Sequence, residues 1–284
     1  MAARAIWKGV IRFADVELPV KLYSAIEDRK VHFNLLDEKA TGRVEQRMVV
    51  PSSGDAVPRE EIRRGFEADP GVFVVLEDEE VGALRPDPSR DIEVTRFLPE
   101  EEIGHAWYDR PYYLGPDTGS GDGAAVTRDY FALAEALSKR GREGVARWVM
   151  RNKEYVGALR AEGDHLALVT LRHTGEVIPA SALEAPGGRE LDGKEIGMAE
   201  QLIGALADDF EPEDYRDEYR DRVMELIEAK AEGRTIELAE PEPGKGEPDD
   251  LTGALEASLA ALSGGKKPGE KKPGKKKPGE KGGS

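Results

Sequence analysis

Alternation of apolar and polar positions dominates the first two-thirds of the chain and predicts short β-strands. The odd-numbered residues from Ala5 to Phe13 are small or apolar, whereas Arg4, Lys8 and Arg12 fall on the opposite side of an extended chain. Similar runs predict strands at 16–23, 31–36, 46–50, 71–76, 92–98, 106–114, 145–150, 154–160 and 165–172. Because the connections are short, this many strands indicate a β-barrel or sandwich.

Helical periodicity is confined to a few segments. Short helical turns are predicted at 59–64, after Pro58, and at 79–84, after Asp78. Thr127 is predicted to cap a helix at 128–140 that ends at Gly141. Two amphipathic patterns at 195–207 and 213–232 predict helices near the C-terminal end. The predicted fold class is therefore mainly β with α.

Composition narrows the range of chemistries. The 284 residues are 39% apolar and 35% charged, and no apolar run approaches the ~20 residues of a membrane helix. No apolar segment typical of a signal peptide follows Arg4. The chain has no cysteine, which excludes disulfides, thiolate catalysis and cysteine-ligated metals. We expect a cytoplasmic protein.

Charge is strongly segregated along the chain. The net charge is −16, yet residues 139–160 hold seven cations against two glutamates, a local +5. These cations lie in the segment 138–172, which covers the last three predicted strands and is called the basic meander here. Residues 266–284 hold eight lysines and two glutamates in KKPGE-like repeats, whose Pro and Gly predict a disordered cationic tail. Two cationic segments on an acidic chain favour a polyanion as partner.

No constellation typical of an enzyme is visible. The loop Gly119–Gly123 resembles a phosphate cradle but lacks the Lys-Ser/Thr of a P-loop and carries Asp122. The four histidines have no zincin spacing, and no Ser-His-Asp arrangement can be nominated. Eight carboxylates between Asp208 and Asp221 lack EF-hand spacing and fit a solvated helix start. No metal or cofactor is predicted.

Binding is the function class that the residues favour. The tail could neutralise DNA phosphates by counterion release, or could serve only solubility. Arg147 and Arg151, interpreted as sharing one strand face, suit phosphate contacts, although they could instead pair with surface carboxylates. The rival classes are a β-barrel protein–protein adaptor whose basic tail associates with the chromosome, and an enzyme that acts on nucleic acid.

Several stretches together resemble bacterial Ku. They are AIWKGVIRF (5–13), LPVKLYSA (18–25), VHFNLL (31–36), DRPYYL (109–114), GVARWVMRNKE (144–154), AEQLI (199–203) and DDFEPEDYRDEYRDRVMELIEAK (208–230), in the family's order. The resemblance runs from Arg4 to about Leu262. One departure is MVVPSSG at 48–54, which is less charged than the family pattern implies.

The resemblance implies a DNA-end-binding protein of non-homologous end joining, acting in double-strand break repair. It implies a β-barrel core with an arm, here assigned to residues 31–76, that forms a ring around duplex DNA with the arm of a second copy. It also implies recruitment of an ATP-dependent DNA ligase, ligase D, and a nucleoid-associated location in bacteria. No catalytic residue is implied.

Site residues and boundaries follow from both lines of reasoning. The predicted DNA-binding residues are Lys8, Lys21, Lys30, Arg43, Arg47, Arg63, Arg140, Arg142, Arg147, Arg151, Lys153, Lys266, Lys267, Lys271, Lys272, Lys275, Lys276 and Lys277. The predicted ligase contacts are Leu251, Leu255, Leu259 and Leu262. The predicted domains are a core at 1–235 with helices at 195–232, an acidic Pro/Gly linker at 236–250, the ligase segment at 251–263 and the lysine tail at 264–284.

Overall fold

Two compact units make up the chain, Met1–Leu183 and Glu184–Ser284. The computed structural model describes residues 4–38, 42–183 and 193–234, together with Gly253, Leu255, Ser258 and Leu259. The first unit contains nine strands: β1 (Trp7–Phe13), β2 (Val16–Ser24), β3 (Arg64–Asp69), β4 (Val72–Leu76), β5 (Asp91–Pro99), β6 (Tyr108–Pro116), β7 (Arg142–Met150), β8 (Lys153–Glu162) and β9 (His165–Leu171).

Seven of these strands close into a barrel in the order β1-β2-β6-β9-β8-β7-β5. All neighbours are antiparallel except β1 and β5, whose parallel pairing places Val10 opposite Asp91. Pro19 lies just outside the β2–β6 ladder, which begins at Val20, so its missing N–H costs no bond to β6. The prediction of a mainly β fold with a barrel core is confirmed.

The barrel interior is filled by the apolar residues that alternate along its strands. Ile11, Leu22, Ile92 and Leu168 are completely buried there. Helix α2 (Gly123–Arg140) packs on this core. Its Tyr130 hydroxyl donates to the carbonyl of Leu114 at 2.6 Å and accepts from the N–H of Leu166 at 2.8 Å, which ties α2 to β6 and β9.

The start of α2 corrects the sequence prediction. Asp122 caps the helix by accepting from the N–H groups of Ala124 and Ala125, so the helix begins at Gly123 rather than Arg128. Thr127, the predicted cap, lies inside the first turns and donates to the carbonyl of Gly123. The predicted end is confirmed, because Gly141 adopts the left-handed conformation with φ 55°.

The arm departs most from the predicted strands. The segments 31–36 and 46–50 are not strands, and only the isolated bridges Leu36–Arg43 and Val49–Ala56 occur there. The predicted turn at 59–64 is a 3₁₀ turn at Arg59–Glu61, and β3 was not predicted. Strands β3 and β4 pair only with each other, and every residue in both is exposed. Helix α1 (Asp78–Ala83) follows them.

The second unit contains α3 (Gly193–Ala205) and α4 (Glu218–Ala231), with a 3₁₀ turn at Pro212–Asp214 between them. Both predicted helices are confirmed, although α4 begins five residues later than predicted, where Asp217 caps it. The predicted linker and lysine tail lie outside the described residues, and the domain boundary at 235 stays a prediction. In the described part of the chain, no helix is long and apolar enough to cross a membrane.

Candidate nucleic-acid interface

The basic meander forms β7, β8 and β9. Arg147 points outward from β7, because Ala146 and Trp148 on either side are buried. Its guanidinium lies 3.8 Å from the carboxylate of Glu154 on β8. An exposed pair of this length is worth about 0–1 kcal/mol, so it leaves the Arg147 charge able to contact a phosphate.

Arg151 does not lie on the strand face that the sequence predicted. Arg151 and Asn152 form the two-residue turn between β7 and β8, with φ of 53° and 61°. Positive φ at both central positions is the type I′ geometry that matches the twist of paired strands. The turn directs Arg151 toward the end of the barrel, where it lines a cavity with Trp7 and Arg90. Beside it, the Lys153 ammonium lies 5.4 Å from the centre of the Tyr155 ring.

Lys8 and Lys21 are opposite one another on β1 and β2, and both bind the same carboxylate. Asp117, only 3% exposed, accepts from the Lys8 ammonium at 2.8 Å and lies 3.0 Å from that of Lys21. Hydrogen bonds from the two lysines hold the pKa of Asp117 far below its usual range. The sequence predicted these lysines as DNA contacts, whereas the structure gives them a partner within the barrel.

Cations of the arm surround an open groove of 1080 Å³. The groove is lined by Arg47 and Arg63, which were predicted as DNA-binding residues, and by Arg59 and Arg64. The Arg63 guanidinium donates to the carbonyl of Glu60 at 2.7 Å, and that of Arg64 lies 3.5 Å from Asp78. Lys30 and Arg43 are exposed elsewhere on the segment between β2 and β3. The groove is therefore lined by four arginines and by three acidic residues, Glu77, Asp78 and Glu79, which leaves an excess of one positive charge.

Arg140 and Arg142 flank the turn that leads from α2 into β7, and both are exposed. Next to Arg142 on β7 is a buried carboxylate that sequence analysis did not identify as important. Glu143 is completely buried, and both its oxygens accept from the Tyr108 hydroxyl, at 2.7 and 2.9 Å. Burial raises the pKa of Glu143, and burial with this hydrogen bond raises that of Tyr108 to about 12.

Two arginines that sequence reasoning missed lie near Arg151. Arg90 precedes β5, and its carbonyl accepts from the N–H of Val10 at 2.8 Å. The Arg110 guanidinium lies 5.8 Å from the centre of the Tyr112 ring. Neither belongs to a charged run, and only strand pairing brings them close to the β7–β8 turn.

The remaining predicted residues have little structural description. Lys266, Lys267, Lys271, Lys272, Lys275, Lys276 and Lys277 lie outside the described residues, as do Leu251 and Leu262. Leu255 is buried and Leu259 half-buried. Within the described ranges, no group of three or more histidines and carboxylates is placed to hold a metal ion.

Comparison with known proteins agrees with the architecture. The family model described as Ku70/Ku80 beta-barrel domain matches residues 12–198. A protein of Anaeromyxobacter sp. (strain K) is 39% identical over 91% of this chain and 86% of its own length. A protein of Mycolicibacterium smegmatis is 35% identical over 93% of this chain and 84% of its own length. A protein of Mycobacterium tuberculosis is 34% identical over 92% of this chain and 96% of its own length.

All three relatives bear the name Non-homologous end joining protein Ku. The matched residues include α2, the segment assigned to the arm and every barrel strand except most of β1, which begins at Trp7. The closed barrel, the matching family model and relatives that are at least 34% identical over most of the chain point to one conclusion. The chain belongs to the bacterial Ku family.

Proposed function

We propose that this protein binds the ends of double-stranded DNA without sequence preference, as a homodimer whose two arms close a ring around the duplex. The observation that carries the proposal is the exposed apolar hairpin of the arm. Phe66 on β3 and Phe73 on β4 are 67% and 61% exposed, and Val72, Val74 and Val75 are each at least half exposed. A two-stranded sheet alone is marginally stable in water, so a partner surface is expected to cover it.

A second copy of the chain is the partner that this surface fits best. A two-fold interface uses the same patch on both subunits, so one apolar hairpin can cover its equivalent. The cations of the arm groove would then occur twice around the hole. Since a duplex has a pseudo-two-fold axis, both sets can contact its phosphates in equivalent ways.

The expected contacts are to the sugar-phosphate backbone. Arg47, Arg59 and Arg63 in the groove and Arg147 on β7 are planar cations suited to phosphate oxygens. Backbone contacts position a protein on DNA and carry no sequence information, which fits a protein that must bind any broken end. In this proposal the protein acts as a scaffold and catalyses no step itself.

Recruitment of an ATP-dependent DNA ligase of the ligase D type completes the proposed role in end joining. The segment at 251–263 is the proposed contact, with Leu259 half-buried and therefore partly accessible. The lysine tail would add non-specific attraction to DNA once the ring is threaded, because a tethered cation raises the local concentration of the complex.

Competition between linear and closed DNA tests the ring. A labelled short linear duplex is bound at moderate salt, and unlabelled plasmid is added either cut once or as a relaxed covalently closed circle. The cut plasmid is expected to displace the duplex, and the closed circle to displace it much less, because a ring needs an end to load. Equal displacement by both forms would overturn the proposal and would favour an adaptor that associates with DNA through its tail.

A further inference from the structure

Two neighbouring cavities lie where the start of β1 meets the β7–β8 turn. Their volumes are 380 and 310 Å³, and both are lined by Trp7 and Arg90. The second is also lined by Arg151 and Asn152. We call the surface formed by these four residues the barrel mouth. Residues distant in sequence meet here because β5 pairs with both β1 and β7.

The indole of Trp7 is held in a fixed position. Its ring lies over Gly9, where an added Cβ would be 2.2 Å from the nearest indole carbon and 2.7 Å from the carbonyl of Arg90. Gly9 therefore permits the ring and the Arg90 backbone to approach β1 closely. The ring packs against the core on one side yet remains partly exposed where it lines the cavities.

The cations of the barrel mouth have no carboxylate partner in the described part of the chain. Neither the Arg90 nor the Arg151 guanidinium forms an ion pair there, although both line the 310 Å³ cavity. Three acidic residues on the adjoining strands pair with other cations: Asp91 with Arg12 at 2.8 Å, Asp109 with Arg172 at 3.6 Å and Glu154 with Arg147 at 3.8 Å. The surface therefore keeps a net positive charge around an aromatic ring.

The other aromatic rings near the barrel mouth belong to the core. Trp148 and Tyr112 are only 2% and 7% exposed, and Trp148 stacks on the half-buried Tyr155 with ring centres 5.4 Å apart. Trp7 is therefore the ring that lines the cavities, with Arg90 and Arg151 as the cations beside it. An accessible aromatic ring beside cations is how proteins bind single-stranded nucleic acid, since bases stack on the ring and phosphates contact the cations.

We propose that the barrel mouth binds an unpaired nucleotide of a single-stranded overhang, with the base against Trp7 and the phosphate between Arg90 and Arg151. A volume of 310 Å³ lies at the lower end of the roughly 300–1,000 Å³ of small-molecule sites and suits one nucleotide. This inference rests on the proposed function, because it concerns the ends that the ring would bind. It adds that a base-stacking site on the barrel distinguishes ends with a single-stranded overhang from blunt ends.

The test compares two forms of one duplex, blunt or extended by a single strand of about five nucleotides, with 2-aminopurine as the first unpaired base. The full-length protein is expected to bind the overhang form roughly fivefold more tightly than the blunt form and to quench the aminopurine. Arg90→Ala is expected to abolish both effects while blunt-end affinity stays within about twofold. The matched control is Arg128→Ala, an exposed arginine on α2, which should behave as the unmodified protein.

A second variant tests the role of the Trp7 indole. Trp7→Phe keeps an aromatic side chain over Gly9, so the barrel is expected to fold, and the smaller ring should reduce aminopurine quenching. Deoxynucleoside monophosphate is added separately to the unmodified protein. If the free nucleotide binds with the same Arg90 dependence while the overhang adds no affinity, the site takes a free nucleotide and the overhang proposal is wrong.

Two other outcomes separate this inference from the proposed function. If blunt and overhang duplexes bind equally and the aminopurine keeps its fluorescence, the barrel mouth is not an overhang site, while end binding stands. If neither duplex binds in preference to closed circular DNA, the proposed function itself fails, and with it the inference.

Discussion

Asp117 is an almost fully buried carboxylate that joins three parts of the barrel. It follows β6 and receives Lys8 from β1 and Lys21 from β2, at 2.8 and 3.0 Å. The N–H of Gly119 and the hydroxyl of Ser120 also donate to it, both at 3.3 Å, which fixes the loop that leads into α2. A carboxylate with this many donors is stable only in its ionised form.

We expect Asp117→Asn to lower the free energy of unfolding at pH 7 by about 1–3 kcal/mol, because two ammonium groups lose their anionic partner. The lowered pKa of Asp117 sets the pH dependence. Its stabilisation is present above the ordinary value of 3.8 and is lost as pH falls below that value. Denaturant unfolding at pH 7 and pH 3 measures both effects, and the difference between variant and unmodified protein should shrink at pH 3.

The control for this prediction is Asp129→Asn, which removes an exposed ion pair to Arg128. A surface pair contributes about 0–1 kcal/mol, so this variant should unfold almost as the unmodified protein does. Equal losses for the two variants would contradict the role assigned to Asp117.

Lys8 and Lys21 show that the sequence predicts the side of a strand on which a residue lies but not its ion-pair partner. Their place on the polar side of β1 and β2 was readable from the alternation of residues. Their partner was not, because Asp117 lies 109 residues from Lys8, in the loop between β6 and α2. Their charges are therefore largely committed to the barrel, and the guanidinium groups of the arm groove are the stronger candidates for DNA contacts.

The β7–β8 hairpin is an element whose turn chemistry matters for both fold and function. Its two turn residues, Arg151 and Asn152, have positive φ. Asparagine tolerates this conformation better than most residues, and an arginine placed there is held at the hairpin tip rather than on a strand face. The turn thereby places the Arg151 charge next to Trp7 and Arg90.

We expect Asn152→Val to destabilise the protein by about 1–2 kcal/mol, because a β-branched residue at φ 61° clashes with its own backbone. Asn152→Gly removes the same side chain without that strain and should stay within about 0.5 kcal/mol of the unmodified protein. Urea unfolding measures both variants. A valine variant as stable as the glycine variant would show that the turn adopts another conformation in solution.

Elements with one buried face were the predictable part of the fold. Strands β1, β5, β7, β8 and β9 were all located, because a barrel buries every second residue and leaves that period in the sequence. The arm lacks that signal. Strand β3 (RGFEAD) is exposed on both faces and depends on pairing with β4, so its polar sequence gave no strand pattern. The apolar segments 31–36 and 46–50 looked like strands, yet they have no neighbouring strand to pair with in the described chain.

At the scale of the whole molecule, the arm is the part whose apolar side chains a single chain does not bury. Apolar side chains on β3 and β4 are exposed to water on both faces of a two-stranded sheet. The barrel, by contrast, buries its apolar residues within one chain. In the proposed homodimer, the second copy would bury the apolar side chains of the arm, as the barrel already buries its own.

We expect Val74→Glu to weaken the dimer by tenfold or more, because a charge on the central position of β4 would be buried against the second copy. Val74 is 50% exposed in the single chain, so the fold itself should tolerate the change. The control is Val16→Glu on β2, a valine of similar exposure at 43%. Size-exclusion chromatography with light scattering measures the mass of each.

The expected result is a monomer for Val74→Glu and a dimer for Val16→Glu. Loss of the dimer should also remove the preference for cut over closed plasmid. A Val74→Glu protein that remains dimeric at micromolar concentration would move the interface away from β4.

The closure of the barrel has a consequence for how the chain is made. The β1–β2 hairpin leaves the ribosome before the arm, yet its outer neighbours are residues 91–93 and 112–116, which emerge only after the arm. Until then both edges of the hairpin present unpaired N–H and C=O groups to other nascent chains. Contacts so distant in sequence form slowly. Synthesis therefore includes an interval in which both edges of the hairpin are open to pairing with other chains, and arms lengthened by insertion should prolong it.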